Sequence, residues 1–468
     1  AGSDAEQTAT RRGAFGFAGN YTMSKKPKAA GDSAFQIIRT EGWQSYQNRK
    51  ADEKEEVKRQ KNIEKVEVIG GKQSFFIDPP PVLNILPNPP VPGIGGSPVR
   101  TLSRLAVERT LRPMAIAFPR DGEWWLEMWL DENEGILSLG SKTNVFDMIV
   151  QAARLVRTKT VHIEDLRGLP MNLAEGLAKR DLKVVLSIHD FTLFCRRSEL
   201  IEASTGRFCG YCDDMDRCTR CLRSIDPERR YPQTDYRRAA IGALNSARVL
   251  IYPSVFLKGQ YETLFRRRHA GQKELVMAPA VPRPEEPEKF GPERPNIAFV
   301  GGASIPNGAA LVVPTMDRVR SRLSKATGLV YGQGVPEIFR HFGKSKGVRV
   351  RGYYRQGTLA SLFARDSIKV AVLPSIWPEG YGLVADECLA AGVPVITFEG
   401  GAVADRLVFW KVGGVVELSE GADGLARSIL EHLSQPRKVP DGVIKTIPQI
   451  NRAAKKYRDL YRALKYVD

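Results

Sequence analysis

A chain of 468 residues is too long for one hydrophobic core, so two domains of roughly 150–200 residues are expected. Its apolar fraction of 42% is that of a globular protein, and no run approaches the ~20 uninterrupted apolar residues of a membrane helix, which excludes a bilayer-spanning chain. The formal charge of +17 points to an anionic surface or polymer (anionic lipid, nucleic acid or an acidic glycan carrier), with general solubility as the equal alternative.

The lysines and arginines are scattered and do not alternate with aromatics along one groove, so direct nucleic-acid binding is the weaker reading. Residues 1–12 are polar and lack the apolar core of a secretory leader. A cytoplasmic location, peripheral on the inner membrane face, is the expectation.

In chain order, residues 1–80 do not fit a doubly wound sheet. The stretch 45–68 mixes both charge signs on strong helix formers with almost no apolar stripe, predicting an exposed helix or a disordered lead. Asp-Pro-Pro-Pro at 78–81 is a stiff stop. Val-Leu-Asn-Ile-Leu at 82–86 predicts the first core strand, followed by a proline-rich and then glycine-rich loop and a helix over 99–109. Gly95 and Gly96 stand in that loop, at a strand's carboxyl end, where open α/β sheets bind ligands.

Strand-like runs at 114–118 and 124–129, a helix at 145–156, a strand from 160, a helix at 171–179 and a strand at 183–188 continue the alternation. It predicts a parallel sheet with crossover helices. His189 and Asp190 fall at the end of the last of these strands.

Five of the six cysteines follow directly: Cys195, the pair Cys209 and Cys212, and the pair Cys218 and Cys221. Two CxxC pairs in a chain without a secretory signal favour metal thiolates over disulfides. A closed structural zinc site leads, an iron–sulfur cluster is second, and redox or incidental cysteines are the remaining reading. A helix at 239–247 and a strand ending in Pro253-Ser254 complete this domain, placed at 81–280 with its cysteine-rich loop at 195–221. The prolines of 281–295 read as the linker.

The second domain, 296–435, opens on a strand and a glycine loop carrying Gly301, Gly302 and Asn307. Two more strand-to-loop turns bear Gly332 and Tyr353. The run Val-Ala-Val-Leu-Pro-Ser-Ile-Trp-Pro-Glu379-Gly380-Tyr381-Gly382-Leu383-Val-Ala-Asp-Glu387-Cys-Leu-Ala-Ala-Gly-Val-Pro-Val-Ile-Thr then reads strand, loop, helix, strand. The helix start offers unpaired N–H groups and partial positive charge to an anion, and the glycines allow close approach. Two carboxylates eight positions apart lie in that loop and helix. Residues 436–468 form a basic tail helix.

The segment from Pro374 to Ile396 resembles glycosyltransferase family 4, retaining transferases of the GT-B fold whose signature is two Glu separated by seven residues. The resemblance implies two Rossmann-like doubly wound parallel-sheet domains facing across a cleft, with the tail helix crossing back onto the first. It implies that Glu379 and the backbone of Gly380 to Leu383 hold the transferred sugar and phosphates, that Glu387 holds the ribose, and that His189 contacts the donor sugar. Gly95 and Gly96 would face the cleft, and Tyr353 and Gly332 would lie where base and sugar are recognised.

Polysaccharide-assembling members carry a related cysteine loop, which would make Cys212 the spare thiol. The activity implied is hexosyl transfer from a nucleotide sugar to a carbohydrate or lipid-linked acceptor without a catalytic metal. Other users of the scaffold, an epimerase or a phosphorylase, and a degenerate module that only binds are the alternatives. Relatives carry an Arg or Lys where this chain has Gly302 and a Lys where it has Asn307. Either Arg318, Arg320 or Lys344 substitutes, or backbone N–H groups do, or the enzyme is slow or inactive.

Overall fold

The computed structural model describes Lys50, Lys54 and residues 80–465 apart from 91–95, 131–132, 141–143, 229–230, 267–271, 288–289 and 302. The expected charged helix at 45–68 therefore lies outside the described residues except for those two lysines, as do Gly95 and Gly302.

Two sheets organise the chain. The first holds eight strands in the order β4-β3-β2-β1-β5-β6-β7-β8, and the second holds six in the order β11-β10-β9-β12-β13-β14. In the first, β1 (Leu83–Ile85), β2 (Met114–Arg120), β5 (Thr160–Ile163), β6 (Lys183–Ser187), β7 (Val249–Tyr252) and β8 (Lys273–Val276) run parallel. The edge departs from the all-parallel expectation: β3 (Glu123–Leu130) and β4 (Asn133–Gly140) are antiparallel to their neighbours. Asp121-Gly122 supplies the reason, because both residues have positive φ (51° and 82°), the geometry of the tight turn whose twist matches a hairpin.

The second sheet is parallel throughout, from β9 (Asn296–Val300) and β10 (Thr327–Tyr331) through β11 (Val348–Gly352), β12 (Ile368–Leu373) and β13 (Val395–Phe398) to β14 (Gly414–Val416). Its strands are apolar runs such as Asn-Ile-Ala-Phe-Val, buried at every position in β9 because helices cover both faces.

Among the helices are α1 (Gly96–Glu108), α2 (Met215–Leu222), α3 (Val255–Leu264), α4 (Ala309–Arg322), α5 (Leu383–Ala390), α6 (Ala402–Trp410) and α7 (Ile450–Lys465). The last of these packs on α1 of the first domain, and its Tyr457, Leu460, Tyr461 and Leu464 close a core cluster with Val82, Val185, Val249 and Ile251. The chain crosses between the sheets twice, and the crossings are hydrogen-bonded to each other: Val281 N donates to Pro448 O at 3.0 Å and Ile450 N to Val281 O at 3.2 Å.

Beneath α7 lies a buried ionic cluster that no local pattern in the sequence announces. Arg104 of α1 is ion-paired with both Glu108 and Glu164, and Arg112 reaches Glu108 at 2.6 Å. His162 bridges Tyr461 Oη at 2.6 Å and Ser187 Oγ at 2.8 Å. Burial, only partly offset by Arg104, pushes the Glu164 carboxyl up to about 7, and burial holds the His162 imidazole well below its usual value.

Candidate active site

The loop ahead of α5 sits where the two sheets face each other. Its backbone follows from Gly382, the N-cap, whose φ of 73° is left-handed and where a Cβ would lie 2.2 Å from Val403 Cγ2. Gly382 has no side chain of its own to cap this helix start, which leaves the first N–H groups to other partners. Arg406 of α6 fixes the turn from behind, donating to Tyr381 O at 2.7 Å and Gly382 O at 3.3 Å, pairing with Asp386 at 3.2 Å and lying 4.1 Å over the Tyr381 ring. Tyr381 Oη donates to the buried Asp386 at 2.5 Å. Arg406 is a residue that the sequence pattern does not reveal, because its spacing of 24 residues from Gly382 leaves no local signal.

The first domain approaches this loop from the other side. Ser254 Oγ donates to Gly380 O at 2.6 Å, a Cβ on Gly380 would lie 2.9 Å from His189 O, and Trp377 packs against the first domain's core. His189 is half-buried, and its Nε2 meets Glu164 O at 2.6 Å, which orients the ring from the neighbouring strand end. The structure thus brings Glu379, Gly380, Tyr381, Gly382 and His189 together.

Glu379 is hydrogen-bonded by Ser375 Oγ, and its carbonyl accepts from Ala402 N at 3.0 Å. Glu387 lies one helical stretch further on, only 8% exposed. Tyr354 Oη donates to its Oε2 at 2.9 Å and Gln356 also hydrogen-bonds it, while burial pushes its pKa up to about 7. Tyr354 therefore reaches this carboxylate, and its neighbour Tyr353 is half-buried just past β11.

Gly301, Gly332 and Gly352 lock side by side at the same sheet edge, with Gly301 N on Tyr331 O at 3.0 Å and Gly332 N on Gly352 O at 2.8 Å. Asn307 precedes Gly308, the left-handed N-cap of α4 (φ 72°), which abuts Pro374 so closely that a Cβ would lie 1.9 Å from its carbonyl oxygen. Gly96 is the first residue of α1.

Three cations expected to replace the missing pair do not reach this edge. Arg318 is ion-paired with Asp423. Arg320 donates to Ala326 O at 2.6 Å, ahead of β10, and Lys344 caps the far end of the helix Pro336–Gly343. Helices that follow parallel strands return toward the strands' amino ends, which carries these residues away from the loops.

All five clustered thiols line one small pocket, with Cys218 and Cys221 on α2, although Arg197 and other residues share the lining. Among the described residues, no three His, Cys, Asp or Glu side chains converge closely enough to hold a metal ion. The sulfurs turn to backbone: Cys195 accepts from Arg197 N at 3.4 Å, Cys221 from Ala203 N at 3.3 Å, and Cys218 donates to Cys212 O at 3.6 Å. Burial favours the protonated thiol, with Cys195 pushed up to about 11 and Cys218 to about 12. Among the described residues no helix is long and apolar enough to cross a membrane.

With two facing parallel-sheet domains and a helix start aimed between them, the architecture is the GT-B fold. Residues 294–435 match the family model described as "Glycosyl transferases group 1". The fold over both domains is therefore GT-B, and the second domain carries the match to glycosyl transferases group 1.

Among solved structures, the chain is similar to sucrose-phosphate synthase from Thermosynechococcus elongatus (14% identity, 82% of this chain and 98% of that one, TM-score 0.55). It is also similar to Anabaena HepE in complex with UDP (13%, 82% and 100%, TM-score 0.54). A glycosyltransferase from Rickettsia africae matches at 13% identity over 83% and 99%, with a TM-score of 0.56. No curated protein matches the sequence.

Proposed function

We propose that this protein is a retaining glycosyltransferase that moves a hexosyl group from a nucleotide sugar to a carbohydrate or lipid-linked acceptor. The observation that carries the reading is the glycine-capped start of α5 at Gly382, set between Glu379 and Glu387, with Gly380 of the same loop packed on the His189 carbonyl of the first domain. Such a start stabilises a diphosphate through backbone N–H groups, and negative charge that grows on the departing nucleotide is where catalysis is won. Glu387 would accept from ribose hydroxyls, and Glu379 would hold the sugar. The match to glycosyl transferases group 1 and the fold shared with the UDP-bound HepE structure support a nucleotide-sugar donor.

The second reading is a module that binds nucleotide or glycan without turning over. Asn307, with Arg318, Arg320 and Lys344 directed elsewhere, favours it. Incubation with UDP-, GDP- and dTDP-sugars and acceptors, followed by mass spectrometry beside Glu387→Ala, separates the two. Turnover abolished by the variant supports the transferase, and tight nucleotide binding without turnover supports the module.

The cysteine cavity is the place where a structural zinc would sit, held by four of Cys195, Cys209, Cys212, Cys218 and Cys221. The paired CxxC spacing and the shared cavity support it, and the thiols would ionise and turn inward on loading. About one zinc per chain by elemental analysis is expected. Metal-free protein of unchanged stability would end the idea.

A further inference from the structure

Glu387 does not stand alone in the second domain. A chain of hydrogen bonds runs from it across the cleft: Gln356 bonds the carboxylate, and Ser103 of α1 donates from its Oγ to Gln356 Oε1 at 3.0 Å. The residues at the ends of this chain lie on helices of different domains and are far apart in sequence. We propose that Gln356 is a positioning residue through which the first domain sets the nucleotide site, Ser103 fixing the amide and the amide, together with Tyr354, fixing Glu387. This rests on the reading of Glu387 as the ribose carboxylate.

The chemistry gives the link a direction. An amide presents one accepting and one donating end, and a carboxylate only accepts. With the Ser103 hydroxyl on the Gln356 carbonyl oxygen, the NH2 group faces Glu387. Rotated by half a turn, the amide would set its carbonyl oxygen against the carboxylate, a repulsive contact. The carboxylate therefore selects the rotamer, and Ser103 anchors the carbonyl end of the amide in that orientation only while α1 lies against the loop that follows β11.

Of the roughly four lone-pair positions on a carboxylate, Tyr354 and Gln356 take two, which leaves two for a vicinal diol. The ribose thus meets a carboxylate already aimed, and aiming depends on the closed relation of the domains. Parting the domains removes Ser103, frees the amide and loosens the carboxylate. Nucleotide affinity and cleft closure become one equilibrium.

The test is a double-mutant cycle read as UDP affinity by calorimetry, with GDP and dTDP as further probes and thermal melts without nucleotide as the folding control. Ser103→Ala and Gln356→Ala are each expected to weaken binding by about three- to tenfold, the range of one net hydrogen bond. The double variant is expected to be no weaker than Gln356→Ala alone, because both remove the same link. Ser103→Thr, which keeps the hydroxyl, restores affinity.

In turnover, donor KM rises while kcat at saturation holds. Single effects that multiply in the double variant, or a Ser103→Ala protein with wild-type affinity, would overturn the proposal while leaving the ribose role of Glu387 intact. A wild-type protein that binds none of the three nucleotides, or binds them equally well as Glu387→Ala, overturns the ribose reading and the proposal with it.

Discussion

Glu387 carries a buried carboxyl whose proton is held to about pH 7, against an ordinary value of 4.5. The folded protein thus keeps a proton that the unfolded chain releases, so this residue's contribution to stability is full below pH 4.5 and fades as pH climbs to about 7. Glu164 behaves in the same sense for the same reason, with Arg104 as the opposing influence. Ribose hydroxyls donate best to the ionised form, so nucleotide affinity is expected to rise between about pH 6 and 8. Glu387→Gln should remove the part of that rise which belongs to the carboxyl, leaving only the nucleotide's own titration. A variant whose affinity follows pH as the wild type does would show that the group does not touch the ligand.

At the scale of elements, α1, β5 and α7 share the ionic cluster around Arg104. Each charge there is partnered, and removing the central cation strands the buried Glu164 carboxylate and leaves Glu108 with Arg112 alone. Arg104→Met is expected to cost about 3–5 kcal/mol in denaturant melts, far more than loss of a surface pair. Double replacement with Glu164→Gln should recover part of it, since one stranded charge is then gone.

The elements themselves were largely legible from periodicity. The alternation of short apolar runs with amphipathic stretches matches the strands and helices of both sheets, and the Glu379-to-Glu387 segment announced loop and helix together. Two things were not legible. The hairpin of β2 and β3 hid behind an alternation that also fits parallel strands, although Asp121-Gly122 was its signal. Tyr354, Gln356, Arg406 and Trp377 act through partners distant in sequence, and a contact made only by folding leaves no pattern in a window of neighbours.

For the whole molecule, the double crossing at Val281 and Ile450 makes the domains dependent on one another. A chain ending before Ile450 loses the cover over Val82, Val185, Val249 and Ile251. It is expected to bind a hydrophobic dye strongly and to melt at lower temperature than the full chain, as dye fluorescence and a thermal scan would show. Equal dye binding by both would mean that α7 contributes little to closing the first domain.

The route of α7 also orders events on the ribosome. Synthesis runs from the amino end, and the segment that seals the first sheet is made after the entire second domain. At about 5–20 residues per second, the strip flanked by Val185 and Ile251 waits uncovered for roughly ten to forty seconds. A nascent chain in that interval presents bare apolar surface to holding chaperones, and slowing elongation within the second domain would lengthen that exposure.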